Sequence, residues 1–246
     1  MLCRDPPARS SGEDSLAGPA IFGYVNLHAL TLTRHGQTMS NKAALRFWLL
    51  AFAATAIPVA VCIAYVDRPV AEFFDEHLRH TTSWVWIQRV LAPLDLVVAV
   101  ALLFLLGCGI WTALGRALAS WTRTPRLCSW AAMWATLASF VFKRIFGRAW
   151  PDPAYVQNHV YGFHLLHGGS HWQSFPSGTA AISTAIVSVL WMLMPRSRTI
   201  GALTVALLCV AVVITNYHWV GDVIAGIFLG ALIGWMTVQR SIPGWR

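Results

Sequence analysis

His218 and Asp222 stand four residues apart in Tyr217-His218-Trp219-Val220-Gly221-Asp222, a spacing that puts both on one face of a helix, about one turn from each other. The carboxylate can then hydrogen-bond one ring nitrogen and leave the other as a nucleophile or base. Phe175-Pro176-Ser177-Gly178 precedes an apolar run, which places backbone N–H groups and a hydroxyl at a helix N-terminus, where anions bind. Lys143 and Arg148 add fixed positive charge. A nucleophile, its orienting carboxylate and a cradle for oxyanions together point to phosphoryl transfer.

Each feature also has a plainer use. His218 can be an interfacial histidine solvated by headgroups, with Asp222 favourable near the start of the following helix. Ser177 is a good helix N-cap whether or not it binds phosphate. Lys143 and Arg148 can be snorkelling interfacial anchors, and for Arg148 the two readings stand level. The coincidence of all these residues at one depth favours function, since ionisable groups beside membrane segments are costly unless used.

The elements that must position them follow from composition. Of 246 residues, 57% are apolar, 11% are charged and thirteen are Trp. That leaves too little polar surface for a water-soluble globule and reads as a multi-span membrane protein. The net charge of +8 comes from short basic clusters between apolar runs, without the basic stripe and stacking aromatics of a nucleic-acid binder. Five cysteines are present, with no C-x-x-C pair, which argues against a disulfide framework or a zinc site.

Residues 1–38 are polar and lack the apolar core of a signal peptide. They read as a disordered tail or a misassigned start, with Met39 the favoured beginning. Six spans follow, over residues 44–66, 94–114, 127–142, 177–194, 200–215 and 220–238, each set by an apolar run. Residues 67–89 suit an amphipathic interfacial helix. The long segment between spans three and four reads as a re-entrant or interfacial loop of functional use. It contains His164, His167 and His171, but Gly168-Gly169 interrupts any shared helical face for a metal. Trp150, Trp172 and Phe175 suit interfacial anchors. With both termini inside, twelve of the 18 Lys and Arg residues fall on the cytoplasmic side and six on the other, as the positive-inside rule requires. Lys143, Ser177 and His218 then share the outer face.

From Lys143 to Gly226 the chain resembles the type 2 phosphatidic acid phosphatase superfamily of membrane lipid phosphatases. That family's pattern is a Lys followed seven and eight residues later by Arg-Pro, then Pro-Ser-Gly-His, then Ser-Arg, five residues, His, three residues and Asp. The resemblance implies that His218 becomes a phosphohistidine and that Asp222 orients it. It implies Lys143, Ser177 and the amides of Ser177 and Gly178 as phosphate ligands, and Arg148 resembles an extra arginine that many members carry inside the first motif. Three positions depart from the pattern. Trp150 and Val212 stand where arginines are expected, and Thr179 stands where the family has the histidine that protonates the leaving group.

These departures shape the expected chemistry. A lost general acid costs about 10²–10⁴-fold when the leaving group is poor. A phosphate leaving group needs that proton far less than an alkoxide does, so lipid diphosphates should outrun simple monoesters. His171 is a candidate substitute acid. Asn216 is either a polar site residue in place of the lost arginine or a packing residue at a helix end.

The sequence therefore predicts an all-α integral membrane protein of six transmembrane helices. Its site opens to the outer face of a bacterial inner membrane, an origin inferred from the compact architecture and arginine-heavy basic set. It would hydrolyse a lipid phosphate or diphosphate with no metal or organic cofactor. The alternatives are a catalytically impaired relative that binds or moves lipid, and a lipid-to-lipid phosphotransferase. The sequence specifies neither the lipid nor an oligomeric state.

Overall fold

The computed structural model describes residues 41–79, 81–92, 95–166, 169 and 171–241. The 1–38 segment and His167 lie outside the described residues. The chain divides into two units, Met1–Arg46 and Phe47–Arg246, and the site belongs wholly to the second.

Eight α-helices and no β-strand occur among the described residues. Helix α1, Asn41–Val61, runs through a π turn at Cys62–Val66 into α2, Asp67–Leu78. After a break, α3 covers Thr82–Leu91, with the Thr81 hydroxyl accepting from Trp84 N–H at 3.3 Å, the usual N-cap device. Helix α4 is Asp95–Ala113, α5 is Arg123–Phe146, α6 is Gly178–Leu193, α7 is Arg198–Ile214 and α8 is Val220–Arg240. The expected interfacial segment 67–89 is thus split between α2 and α3.

Among the described residues, four stretches are long and apolar enough to cross a membrane: Lys42–Leu78, Thr82–Ala113, Pro195–Ile214 and Val220–Arg240. Helix α6 has 16 residues, ~24 Å at 1.5 Å per residue, and falls short of the hydrocarbon thickness of about 30 Å. Its position explains why it can be short. It packs against α5, α7 and α8, and Ala180, Ala181, Thr184, Ala185 and Val189 along it are buried.

The tightest packing joins α6 to α8. Gly226, Gly230 and Gly234 recur every fourth residue on α8 and face α6. A Cβ on Gly226 would lie 2.5 Å from the Ser177 carbonyl oxygen, and one on Gly234 2.6 Å from that of Ala185. Such small-residue stripes let helix backbones approach closely where lipid supplies no hydrophobic drive. Large apolar side chains face outward instead: Leu50, Phe52 and Ile57 on α1, Leu103 and Leu106 on α4, Leu203 and Leu207 on α7 are all exposed. Small residues inside and large apolar residues outside is the arrangement of an integral membrane protein, because hydrocarbon solvates the outer surface.

This packing places the C-terminus of α5 beside the N-termini of α6 and α8. Gly147 caps α5 in the left-handed conformation (φ 53°), its N–H donating to the Lys143 carbonyl at 3.1 Å. Glycine adopts that conformation without a Cβ penalty, and the turn sends Arg148 inward.

Candidate active site

Asp222 is fully buried at the third position of α8. Its Oδ2 accepts from the Trp219 N–H at 3.3 Å and from the Ser174 hydroxyl, while its Oδ1 takes Arg148 Nη1 at 2.6 Å. Arg148 is equally buried and turns its other arm, Nη2, to Asp67 Oδ2 at 2.6 Å. Asp67 in turn accepts the Gly221 N–H at 3.0 Å, so α2 and the start of α8 are tied through one guanidinium. Tyr161 accepts from Arg148 Nη2 at 3.0 Å and donates to the Ile63 carbonyl, in the π turn, at 2.5 Å. The Trp219 and Phe163 rings each lie 5.2 Å from the guanidinium carbon. Burial works against the charge on Arg148, but the carboxylates of Asp222 and Asp67 more than offset it and hold its pKa above the ordinary arginine value.

Arg148, expected as a phosphate contact, has both of its Nη atoms on carboxylates. With both Nη atoms engaged by carboxylates, it holds Asp222 in place from behind. Asp67, Ser174 and Tyr161 complete this cluster, and the sequence reading passed over all three. Asp67 carried a signal, a carboxylate at the end of an apolar span, where an unpaired charge is costly.

His218 is buried in the turn before α8, with its Nδ1 3.7 Å from Asp222 Oδ2. That is beyond hydrogen-bond range, and Nδ1 has no hydrogen bond among the described residues. Burial is the main cause holding the imidazole below the ordinary histidine pKa, and the Lys143 ammonium pushes the same way. A neutral ring keeps the lone pair that a nucleophile needs.

Lys143 and the mouth of α6 stand on the other side. Lys143 Nζ would lie 3.9 Å from a Cβ placed on Gly178. Ser177 is the N-cap, its hydroxyl accepting from Ala180 N–H at 3.3 Å. Its own N–H donates to the Asp222 carbonyl at 3.0 Å, so the amides left at the helix mouth belong to Gly178 and Thr179 rather than to Ser177. An N-terminus with a lysine beside it suits an oxyanion.

Trp150, Thr179 and Val212 surround this centre. The Trp150 ring lies 5.9 Å from Lys143 Nζ and 6.1 Å from the His218 ring. Its indole nitrogen is buried and unpartnered among the described residues. Thr179 and Val212 line a cavity of about 470 Å³ with Tyr217 and residues of α3. His171 is exposed and meets the site through its backbone, its carbonyl accepting the Trp150 N–H at 3.2 Å. Asn216 takes a left-handed conformation (φ 54°) and donates its side-chain amide to the Ala71 carbonyl at 3.0 Å. Among the described residues no cluster of His, Cys, Asp and Glu could hold a metal ion.

A lipid A 1-phosphatase of Rhizobium johnstonii is 32% identical over 106 residues, covering 43% of this chain and 42% of that protein. A lipid A 1-phosphatase of Rhizobium etli is 31% identical over 106 residues, covering 43% of this chain and 44% of that one. The chain thus matches less than half the length of these curated relatives. No solved structure matches. The family model of the PAP2 superfamily matches residues 124–242, a segment that holds Lys143, Arg148, Ser177, His218 and Asp222.

Proposed function

We propose that this protein hydrolyses a lipid phosphate, with a preference for lipid diphosphates. The observation that carries the reading is the meeting of Lys143, the mouth of α6 and a buried His218 in front of a fully buried Asp222–Arg148 pair. A ring nitrogen of His218 attacks phosphorus, and the P–O bond to the leaving group breaks with its electron pair on oxygen. Lys143 and the Gly178 and Thr179 amides take the charge on the non-bridging oxygens, the usual main source of catalysis in phosphoryl transfer. Water then attacks the phosphohistidine, releasing inorganic phosphate and restoring the imidazole. Asp222 stabilises the positive ring from 3.7 Å. With Thr179 where the family pattern places an acid, a leaving group that departs without a proton is favoured, and a lipid monophosphate leaving a diphosphate meets that condition.

In this reading α5 and α6 complete a six-span domain over residues 39–246. Helix α5, with 24 residues, reaches ~36 Å, and α6 is shielded from lipid by its neighbours. The distribution of Lys and Arg supports an outward-facing site in a bacterial inner membrane, and the matched relatives are bacterial phosphatases of a lipid.

The test is phosphate release by purified protein in detergent from a polyprenyl diphosphate and from phosphatidic acid, beside His218→Ala. Release from the diphosphate that vanishes in the variant is expected. Release that survives His218→Ala removes the phosphohistidine, and a clear preference for phosphatidic acid removes the leaving-group reading.

A further inference from the structure

The 470 Å³ cavity beside the site contains polar groups that no motif accounts for. On one wall are Thr179, Val212 and Tyr217; on the other, α3 contributes Gln88, Arg89 and Leu91. Two of the three positions at which the chain departs from the family pattern therefore face the same space. Thr179 is the second residue of α6, so the cavity begins next to the amides at the helix mouth. Tyr217 connects it to the reaction centre, packing 5.7 Å from Trp150 and 6.5 Å from the His218 ring.

Arg89 is the charged residue of this lining. It makes no ion pair among the described residues, and its guanidinium lies 5.2 Å from the Trp86 ring. A cation–π contact of that kind orients the group without neutralising it. Gln88, one residue earlier and half-buried, offers an amide with two donors and one acceptor. A cationic fork and an amide beside a phosphate cradle match a second anionic group covalently attached to the phosphate in that cradle.

The geometry points to Arg89 and Gln88 as the binding site for the second phosphate of a lipid diphosphate, the one that stays with the lipid after cleavage. This rests on the phosphatase reading above and deepens it. Arg89 supplies charge on the leaving-group side, where Thr179 can offer only a hydroxyl. A lipid with a single phosphate leaves Arg89 without a ligand.

Binding tests this apart from turnover. The probes are a non-hydrolysable prenyl methylene-bisphosphonate and the matching prenyl monophosphonate, titrated against the full chain in detergent. The bisphosphonate should bind the unaltered protein at least about tenfold more tightly, the size of one charge-assisted hydrogen bond. Arg89→Ala should erase that advantage and leave monophosphonate affinity within about twofold, the spread of surface substitutions. Arg89→Lys should restore part of it, and Gln88→Ala should reduce it less. Equal affinities for the two probes in the unaltered protein, or equal losses on both in Arg89→Ala, overturn the assignment. Phosphate release beside His218→Ala judges the phosphatase reading separately, so either can fail while the other stands.

Discussion

The two sides of His218 are built differently. Behind it, Asp222, Arg148 and Asp67 form a sealed ion cluster, both carboxylates and both guanidinium arms engaged and none exposed. In front, Trp150, Thr179 and Val212 put an indole, a hydroxyl and an apolar side chain where the family pattern carries two arginines and a histidine. The rear cluster holds buried charges whose loss leaves a partner uncompensated, so it is intolerant of change. In the proposed reading the front faces the cradle and the cavity, whose lining includes Thr179 and Val212. In the function proposed above, positioning and selectivity fall to separate residues.

The strongest way to break this division is Arg148→Met, which leaves Asp67 and Asp222 buried without a cation. A loss of about 3–5 kcal/mol is expected, seen as a lowered thermal transition in detergent together with lost phosphate release. Arg148→Lys should recover only part, because an ammonium cannot span both carboxylates as a planar fork does. An unchanged transition in Arg148→Met would show that the rear cluster is not structural.

Thr179→His probes the front. Restoring an acid should raise phosphomonoester turnover by up to about 10²-fold and leave diphosphate turnover nearly level. An equal gain on both substrates would mean that the histidine binds phosphate rather than protonating a leaving group.

The pH profile separates the two sides more finely. His218 is held below the ordinary histidine pKa of 6.5, and its neutral form is the reactive one. Activity should therefore persist below pH 6.5 and fall only as pH drops through the lowered value, read as the acid limb of kcat/KM. Lys143→Met removes a charge that disfavours the imidazolium, so the limb should move upward. The smallest effect is expected from Trp150→Phe, which keeps the ring and deletes one donor. A loss of about two- to tenfold corresponds to one hydrogen bond, and no loss at all would make Trp150 a packing residue.

Much of the site was legible because its residue types are restrictive. His218 and Asp222 stood out by their spacing, Ser177 and Gly178 by their place ahead of an apolar run and Lys143 by its charge, and the structure gathers them at one end of the bundle. The spacing nevertheless misled on one contact. Four residues place side chains one above the other only within a helix, and α8 begins at Val220, after His218. Asp222 therefore turns to the Trp219 N–H and Ser174, leaving Nδ1 at 3.7 Å. The Gly226, Gly230, Gly234 stripe was visible as a small-residue repeat and went unread. The Arg148–Asp67 pair could not be seen at all, since 81 positions separate its members.

By itself the sequence determined the apolar helices, because the cost of placing unpaired polar backbone in hydrocarbon permits little else. It also determined the chemistry available, through a histidine, a lysine and a capped helix N-terminus. Only the tertiary structure decided that Arg148 pairs with Asp222, that Asp67 completes the cluster, and that Arg89 shares a cavity with Thr179 and Val212. Those outcomes depend on how α2, α3 and α8 pack together, and a buried charge takes whichever partner the packing brings within reach.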